Sequence, residues 1–388
     1  MSTAVHLAFK EIARNKGRFL LFSLVIALIT LLILFIAALG EGLGSGNREY
    51  LENLDAELIV YQSTARLSIA SSQIDLATRR MIRSVDGVEE VAPVGFGSAA
   101  VPRADSNEFL DVALIGVEPG MPGEPQAVEG RGFERIGADE ALIDRTVALI
   151  GELRIGDPIV VRTVIDGEDE FHTLSVVGVC DSQKYGLRSS VFVPKRTWDN
   201  IRPQVMLMGA MGAIQPIYNV LLINVADSAE PADVIAGVKS RVSNLEIVDP
   251  VTAYENTPGY SEQQTTLATQ NGFALLIGAL VIGGFFQIQT MQKVPQIGML
   301  KAIGTPNGII ALSSILQIFM VNLAGILIGA AVTYGLALVF PPGIPIVFEL
   351  RSAAAAIASI LIIGPVGGIV SVRYSLRVEP LTALGLNS

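Results

Sequence analysis

Two histidines, His6 and His172, and one cysteine, Cys180, are all the imidazole and thiol in the 388 residues. There is no Cys-x-x-Cys, so a multi-histidine or thiolate zinc site is excluded. A serine–histidine–acid triad would have to use His172. That residue stands next to Glu168-Asp169-Glu170 in a run that reads as a strand, so it is read as a half-exposed strand residue and not as a general base. Cys180 closes the apolar run Leu174-Ser175-Val176-Val177-Gly178-Val179 and reads as a small buried residue; alone, it makes no intrachain disulfide. No Gly-x-x-x-x-Gly-Lys-Ser/Thr loop is present, so nucleotide hydrolysis by that route is excluded. No catalytic residue and no resident metal site is therefore expected.

The charges explain why side-chain chemistry is so sparse. The stretches Phe19–Gly40, Gln263–Gln292, Ala302–Phe348 and Ser352–Val372 contain no Asp, Glu, Lys or Arg. A helix needs about 20 apolar residues to cross the hydrocarbon layer, which gives four spans. They are placed at 19–43, with the start of a stalk, and at 268–292, 307–340 and 352–373. The third ends at Pro341-Pro342-Gly343-Ile344-Pro345, a strong helix terminator. The first is too long for the apolar core of a signal peptide and reads as retained. A single soluble domain, a disordered chain and a nucleic-acid binder are excluded. With no charge inside a span, an ion-coupled carrier is disfavoured.

Basic residues set the orientation. Lys10, Arg14, Lys16 and Arg18 precede the first span against Glu11 alone, Lys293 and Lys301 lie between the second and third, and Arg373 and Arg377 follow the fourth. Both termini and the 293–306 loop are expected in the cytoplasm of a multi-pass plasma-membrane protein, and 46–262 outside. Glu41–Glu262 holds 34 acids and 18 bases, so the net charge of −10 describes a solvated outer domain. Residues 1–18, with Val5, Leu7, Ala8, Phe9 and Ile12 set among Lys10, Glu11 and Arg14, read as an amphipathic helix lying on the inner membrane face.

The outer domain reads as α+β. Two strand–helix–strand halves are expected at about 55–94 and 218–251, with a β-rich insertion at about 110–200. In the first half the helix is placed at Ser72–Ser84, with Ile74, Ala77, Met81 and Val85 inward. The insertion's strands are Val112–Val117, Pro158–Val164, Phe171–Val179 and Ser190–Pro194, with Asp166-Gly167 as a hairpin turn. Met206, Met208 and Met211 form an apolar cluster suited to packing or to a substrate-facing loop.

The 293–306 loop is short, basic and apolar on one side, suited to offering a helix to the groove of a cytoplasmic partner. Its run Ile297-Gly298-Met299-Leu300-Lys301-Ala302-Ile303-Gly304 resembles the coupling-loop signature of FtsX/MacB-type ABC transporter permeases. The tail Arg373-Tyr374-Ser375-Leu376-Arg377-Val378-Glu379-Pro380-Leu381-Thr382-Ala383-Leu384 is similar to their closing motif. One span, a large outer domain and three further spans is also that family's layout. Within it, Leu7–Leu20 and Met291-Gln292-Lys293 resemble the haem-exporter branch, HrtB and its DevC relatives. Many members open the loop with Arg-x-Arg-Glu-Ile; here it reads Lys293-Val294-Pro295-Gln296-Ile297, without the acid, which argues against the lipoprotein and cell-division branches.

The resemblance implies a permease that is not itself an enzyme: a homodimer serving two copies of a separate ATPase subunit, which binds the ATP. Ile297, Gly298, Leu300, Lys301, Ala302 and Gly304 would be its coupling residues. It implies export by mechanotransmission with haem as cargo. With no His or Cys near an outer span end, the oxygen donors Glu49, Tyr50 and Glu52 are the candidate iron ligands. Arg48 is the candidate propionate partner, and Glu41 shares a helical face with Arg48 and Glu52. Two alternatives are a signal transmitter that activates a cell-wall hydrolase and an exporter of a glycolipid, peptide or drug. Gly325-x-x-x-Gly329 in the third span and Gly278, Gly283 and Gly284 in the second allow close helix packing, within one chain or across a dimer.

Overall fold

The computed structural model describes residues 2–165, 167–181, 183–201, 217–340, 344 and 346–377. The helices are α1 (Ser2–Arg14), α2 (Lys16–Glu52), α3 (Leu76–Arg83), α4 (Arg145–Gly151), α5 (Lys195–Ile201), α6 (Pro231–Arg241), α7 (Pro250–Glu255), α8 (Tyr260–Gln292), α9 (Val294–Ala302), α10 (Asn307–Ala337) and α11 (Leu350–Arg377). The strands are β1 (Leu58–Gln62), β2 (Ile74–Asp75), β3 (Val88–Pro102), β4 (Phe109–Val117), β5 (Glu129–Gly130), β6 (Glu140–Asp144), β7 (Pro158–Ile165), β8 (Glu168–Cys180), β9 (Ser189–Pro194), β10 (Ile217–Tyr218), β11 (Val220–Val225) and β12 (Leu245–Val248). They divide into two compact units, Met1–Gly42 with Gln264–Ser388, and Leu43–Gln263.

In the first unit, four helices among the described residues are long and apolar enough to cross a membrane: α2, α8, α10 and α11. α8 begins at Tyr260, earlier than the apolar run, because nothing in its polar approach breaks a helix. α10 ends at Ala337 and not at 340, while Pro341, Pro342, Gly343 and Pro345 lie outside the described residues. α11 runs on to Arg377, taking in the start of the expected tail; Val378–Ser388 lies outside.

The glycines are used within the chain. A Cβ on Gly325 would stand 2.6 Å from the Ile26 side chain and 2.9 Å from the Ser23 carbonyl oxygen; one on Gly329 would stand 2.6 Å from the Ala27 carbonyl oxygen. The Gly-x-x-x-Gly face of α10 is thus seated on the backbone of α2. Gly283 of α8 likewise meets the Gly367 carbonyl of α11.

In the second unit one ten-stranded sheet runs β12–β1–β11–β3–β4–β9–β6–β8–β5, with β7 bridging β3 and β8. The two strand–helix–strand halves interleave: β1 lies between β12 and β11, and β11 pairs on its other side with β3. The β-rich segment is not a separate insertion. β3, expected to stop at Val94, continues to Pro102 and carries the sheet into it. The reason is Trp198, 1% exposed. Cβ atoms on Gly95 and Gly116 would stand 2.7 and 2.5 Å from its indole, so these glycines are a seat for the ring and not a turn.

α3 starts at Leu76, capped by Asp75, and not at Ser72. Ile74 belongs to β2, which shifts the helical phase: Ile82 is buried, while Ala77 and Met81 are exposed. Ile165 pairs with Glu168, so a two-residue connection joins β7 and β8 at the expected hairpin, and Gly167 takes φ +85°. His172 lies in β8 opposite Val161, and Cys180 is buried with its thiol donating to the Ile143 carbonyl at 3.4 Å. Burial pushes that thiol's pKa up. Met206, Met208 and Met211 lie outside the described residues.

Candidate functional site

The coupling segment folds into α9. Lys293 precedes it and Pro295 stands in its first turn, where a missing N–H costs nothing. Gly304 ends it at φ +89°, and the Thr305 N–H reaches back to the Leu300 carbonyl at 3.0 Å, so the conformation needs glycine there. Gly304 therefore has a geometric role in this helix end.

α9 is wired to its neighbours at both ends. The Lys293 ammonium lies 2.5 Å from a Glu11 carboxylate oxygen and donates to the Gln317 side-chain carbonyl at 3.2 Å. The Gln317 amide donates to the other Glu11 oxygen at 2.7 Å. One cluster thus joins α1, the α8–α9 corner and α10. Burial lowers the Lys293 pKa, while Glu11 pulls it back up. At the other end Lys301 donates to the Leu376 carbonyl of α11 at 2.8 Å. The Arg18 guanidinium donates to Gln292.

These contacts sort the six expected coupling residues. Ile297 and Gly298 are buried in the membrane unit, Leu300 and Lys301 are half-buried, and only Ala302 and Gly304 are exposed. The exposed residues of α9 and its cap are Pro295, Gln296, Met299, 57% exposed, Ala302 and Ile303, 75% exposed. Met299 and Ile303 are one helical turn apart and make a two-residue apolar stripe. Sequence reasoning passed over both, along with Glu11 and Gln317. The signal for Glu11 was present: it is the one acid among four basic residues ahead of the first span.

α1 is only partly a membrane-surface helix. Ala4 and Ala8 are buried and α1 packs on α10, while Val5 and Phe9 face outward.

The expected ligand positions divide between the units. Glu41 belongs to the membrane unit and accepts a hydrogen bond from the Ser352 hydroxyl at 3.2 Å. In the outer unit the last turn of α2 docks on the 183–188 turn: the Tyr50 N–H donates to the Lys184 carbonyl at 3.1 Å, and the Leu187 N–H to the Gly46 carbonyl at 2.9 Å. Tyr50 is 2% exposed, set against Tyr185 and Phe192 in the domain core. It is a core anchor, which removes it from the accessible iron ligands. Its neighbour Leu51 is fully buried too, so this face of the helix end is apolar packing and not stalk. Burial holds the Tyr50 phenol far above its ordinary pKa. Arg48 pairs with Glu52 at 3.4 Å, both partly exposed. Glu49 accepts the Lys184 N–H at 3.3 Å, and burial raises its pKa.

A family model of the MacB-like periplasmic core domain matches residues 19–241, and one of the FtsX-like permease C-terminal matches residues 271–380. The chain belongs to the MacB/FtsX-type ABC transporter permeases. Nearly its whole length, 98%, aligns with 99% of a protein named as the permease HrtB of a hemin transport system in Staphylococcus haemolyticus, at 25% identity. The protein of the same name from Staphylococcus epidermidis is 22% identical over the same shares. An uncharacterized ABC transporter permease of Mycobacterium tuberculosis, Rv0072, is 21% identical, with 97% of this chain and 98% of that one covered. Among solved structures, the periplasmic region of MacB from Actinobacillus actinomycetemcomitans is 13% identical with TM-score 0.36, covering 54% of this chain and 97% of that one. The extracellular domain of YknZ is 16% identical with TM-score 0.34, covering 50% and 99%. Membership of the MacB/FtsX-type permeases makes this a multi-pass membrane protein with an extracellular domain and an ATPase partner.

Proposed function

We propose that this permease is the membrane part of an ATP-driven haem exporter working by mechanotransmission, as a homodimer with two ATPase subunits and with both termini cytoplasmic. The observation that carries the mechanical reading is α9. It is a short helix with an exposed apolar stripe, fixed by Lys293 and Lys301 to α1, α10 and α11. Displacing such a helix displaces the bundle, and the ATP itself stays on the partner. The orientation rests on the basic residues at the inner span ends. A cysteine placed at Asn307 that reacts with an impermeant external reagent would overturn it.

Haem as cargo rests on the relatives named for hemin transport and on the oxygen donors at the end of α2. With Tyr50 in the core, the ligands are Glu49 or Glu52, and Arg48 is the propionate partner. Haem added to the purified protein is expected to give a high-spin spectrum. Glu49→Gln or Glu52→Gln should change that spectrum and restore haem sensitivity in cells, whereas Tyr50→Phe should leave it as it is. Arg48→Ala should weaken binding more mildly, because a partly exposed charge pair contributes little beside a metal bond. A low-spin bis-imidazole spectrum, or no binding, would sink the haem reading and leave the permease reading standing.

A further inference from the structure

The polar cluster at the inner end of the membrane unit is more elaborate than a short connecting loop requires. Glu11 and Lys293 keep only 23% and 17% of their side-chain exposure. Taking two charges out of water is costly, and apolar residues of the same volume often hold helices as firmly. What a buried pair adds is registry: it is satisfied in one arrangement only.

Gln317 extends that registry into the bundle. It lies ten residues along α10, roughly 15 Å from its start. Its amide donates to Glu11 and its carbonyl accepts from Lys293, so it bridges the pair. Beside the cluster lies a cavity of 70 Å³, lined in part by Glu11, Lys293, Gln317 and Gln289. Gln289 is 3% exposed, and among the described residues its side-chain carbonyl accepts no hydrogen bond. The volume is large enough to admit water, which needs polar partners of this kind. Contacts in a hydrated cavity can be exchanged without stranding a charge.

We propose that Glu11, Lys293 and Gln317 are positioning residues of the transport cycle, a joint that makes α1 and α10 follow α9. This rests on the reading that an ATPase drives α9. Lys293 is at one end of that helix, and Lys301 at the other end is held by the last turn of α11. A push on the exposed face between them is therefore delivered to α1 and α10 on one side and to α11 on the other.

The test uses the whole complex, this chain with its ATPase subunit in membranes, and two readouts. One is cargo moved per ATP hydrolysed. The other is the ATP-dependent change in distance between spin labels at Phe9 of α1, which the joint carries with α9, and Leu276 in the body of α8, remote from the joint, both exposed. Glu11→Gln and Lys293→Gln are each expected to lower cargo moved per ATP about ten-fold and to abolish the distance change, with the ATPase still co-purifying. The exchanged pair Glu11→Lys with Lys293→Glu is expected to restore most of both, which a merely structural role for either residue does not predict. If a charge variant fails to insert, Gln317→Met removes the bridge without stranding a charge and is read the same way. Unchanged coupling in Glu11→Gln, or an exchanged pair as defective as the single variants, overturns the joint. A wild-type complex that shows the distance change but moves no haem defeats the cargo reading and leaves the joint standing.

Discussion

Met299→Asp and Ile303→Asp are each expected to separate this permease from its ATPase subunit while leaving it in the membrane. These two side chains are the most open large apolar groups of the coupling segment, 57% and 75% exposed, on a helix whose other large apolar residues, Val294, Ile297 and Leu300, are buried or half-buried. A partner groove that covers them would desolvate whatever stands there. An unpaired carboxylate in such a groove costs several kcal/mol, and a loss of about 2 kcal/mol, the lower bound for an interface hot spot, is already about thirty-fold in affinity. Ile297→Asp puts the same charge two residues earlier with a different result. Ile297 is 7% exposed and borders the cavity of the polar joint, so the membrane unit itself should lose stability and the chain should accumulate poorly. Co-purification of the ATPase with each variant, normalised to the amount inserted, separates the two outcomes. The opposite pattern, with Ile297→Asp inserted but partner-free and the Met299 and Ile303 variants intact, would put the contact on the inward face.

The inversion of these faces shows what was legible from the chain and what was not. The four spans could be read because each is a long charge-free run, and length alone distinguishes a span from a core helix. α9 could be placed but not oriented. The one apolar side read from the sequence is not a distinct face: Val294, Ile297, Met299, Leu300 and Ala302 spread round the nine-residue helix, whose polar residues are Gln296 and Lys301 alone, so no polar stripe marks its outer side. Its direction is fixed by Glu11 and Gln317, which are remote in sequence and lie on other helices. Tyr50 misled for a related reason. Glu49, Glu52 and Arg48 around it describe a solvated helix, and only the 183–188 turn, more than 130 residues away, makes that turn of α2 part of the outer core. In the outer domain, strand positions followed short apolar runs bounded by turn residues, but their order did not. The sheet places β1 between two late strands, and β6, with its short flanking turns, passed unread. β3 ran past its expected end at Gly95, which together with Gly116 of β4 seats Trp198, a residue remote in sequence.

Asn322 carries the second large expectation. It is fully buried in the membrane unit, where an uncompensated polar group is expensive. Its amide donates to the Ile360 carbonyl at 3.1 Å and reaches the Leu361 carbonyl at 3.5 Å. Leu361 lies four residues before Pro365, which has no N–H to return, so the helix leaves that oxygen without its usual donor. Asn322 supplies one from α10, and Gly364 leaves the space: a Cβ there would overlap the Asn322 amide. Asn322→Asp keeps the shape but replaces the donor by an acceptor facing two carbonyls, and is expected to cost about 3 kcal/mol, the scale for an acid at mid-membrane. Asn322→Leu should cost only about 1 kcal/mol, because it also removes the side-chain oxygen of Asn322, which has no hydrogen-bond partner among the described residues. Pro365→Ala decides whether the account is right. It restores an N–H aimed at Leu361, so it should stabilise the chain more when combined with Asn322→Leu than on its own. Unfolding of the purified protein in detergent, run as a double-mutant cycle, measures the difference; agreement of the two effects within about 0.5 kcal/mol would show that Asn322 is not standing in for the missing donor. The same bond bears on transport. Pro365 lies eleven residues, roughly 16 Å, from the Leu376 carbonyl that Lys301 grips. The Asn322 contact with α11 beside Pro365 therefore lies on the line along which a displaced α9 would pull, and Asn322→Leu should lower cargo moved per ATP even where the chain remains folded.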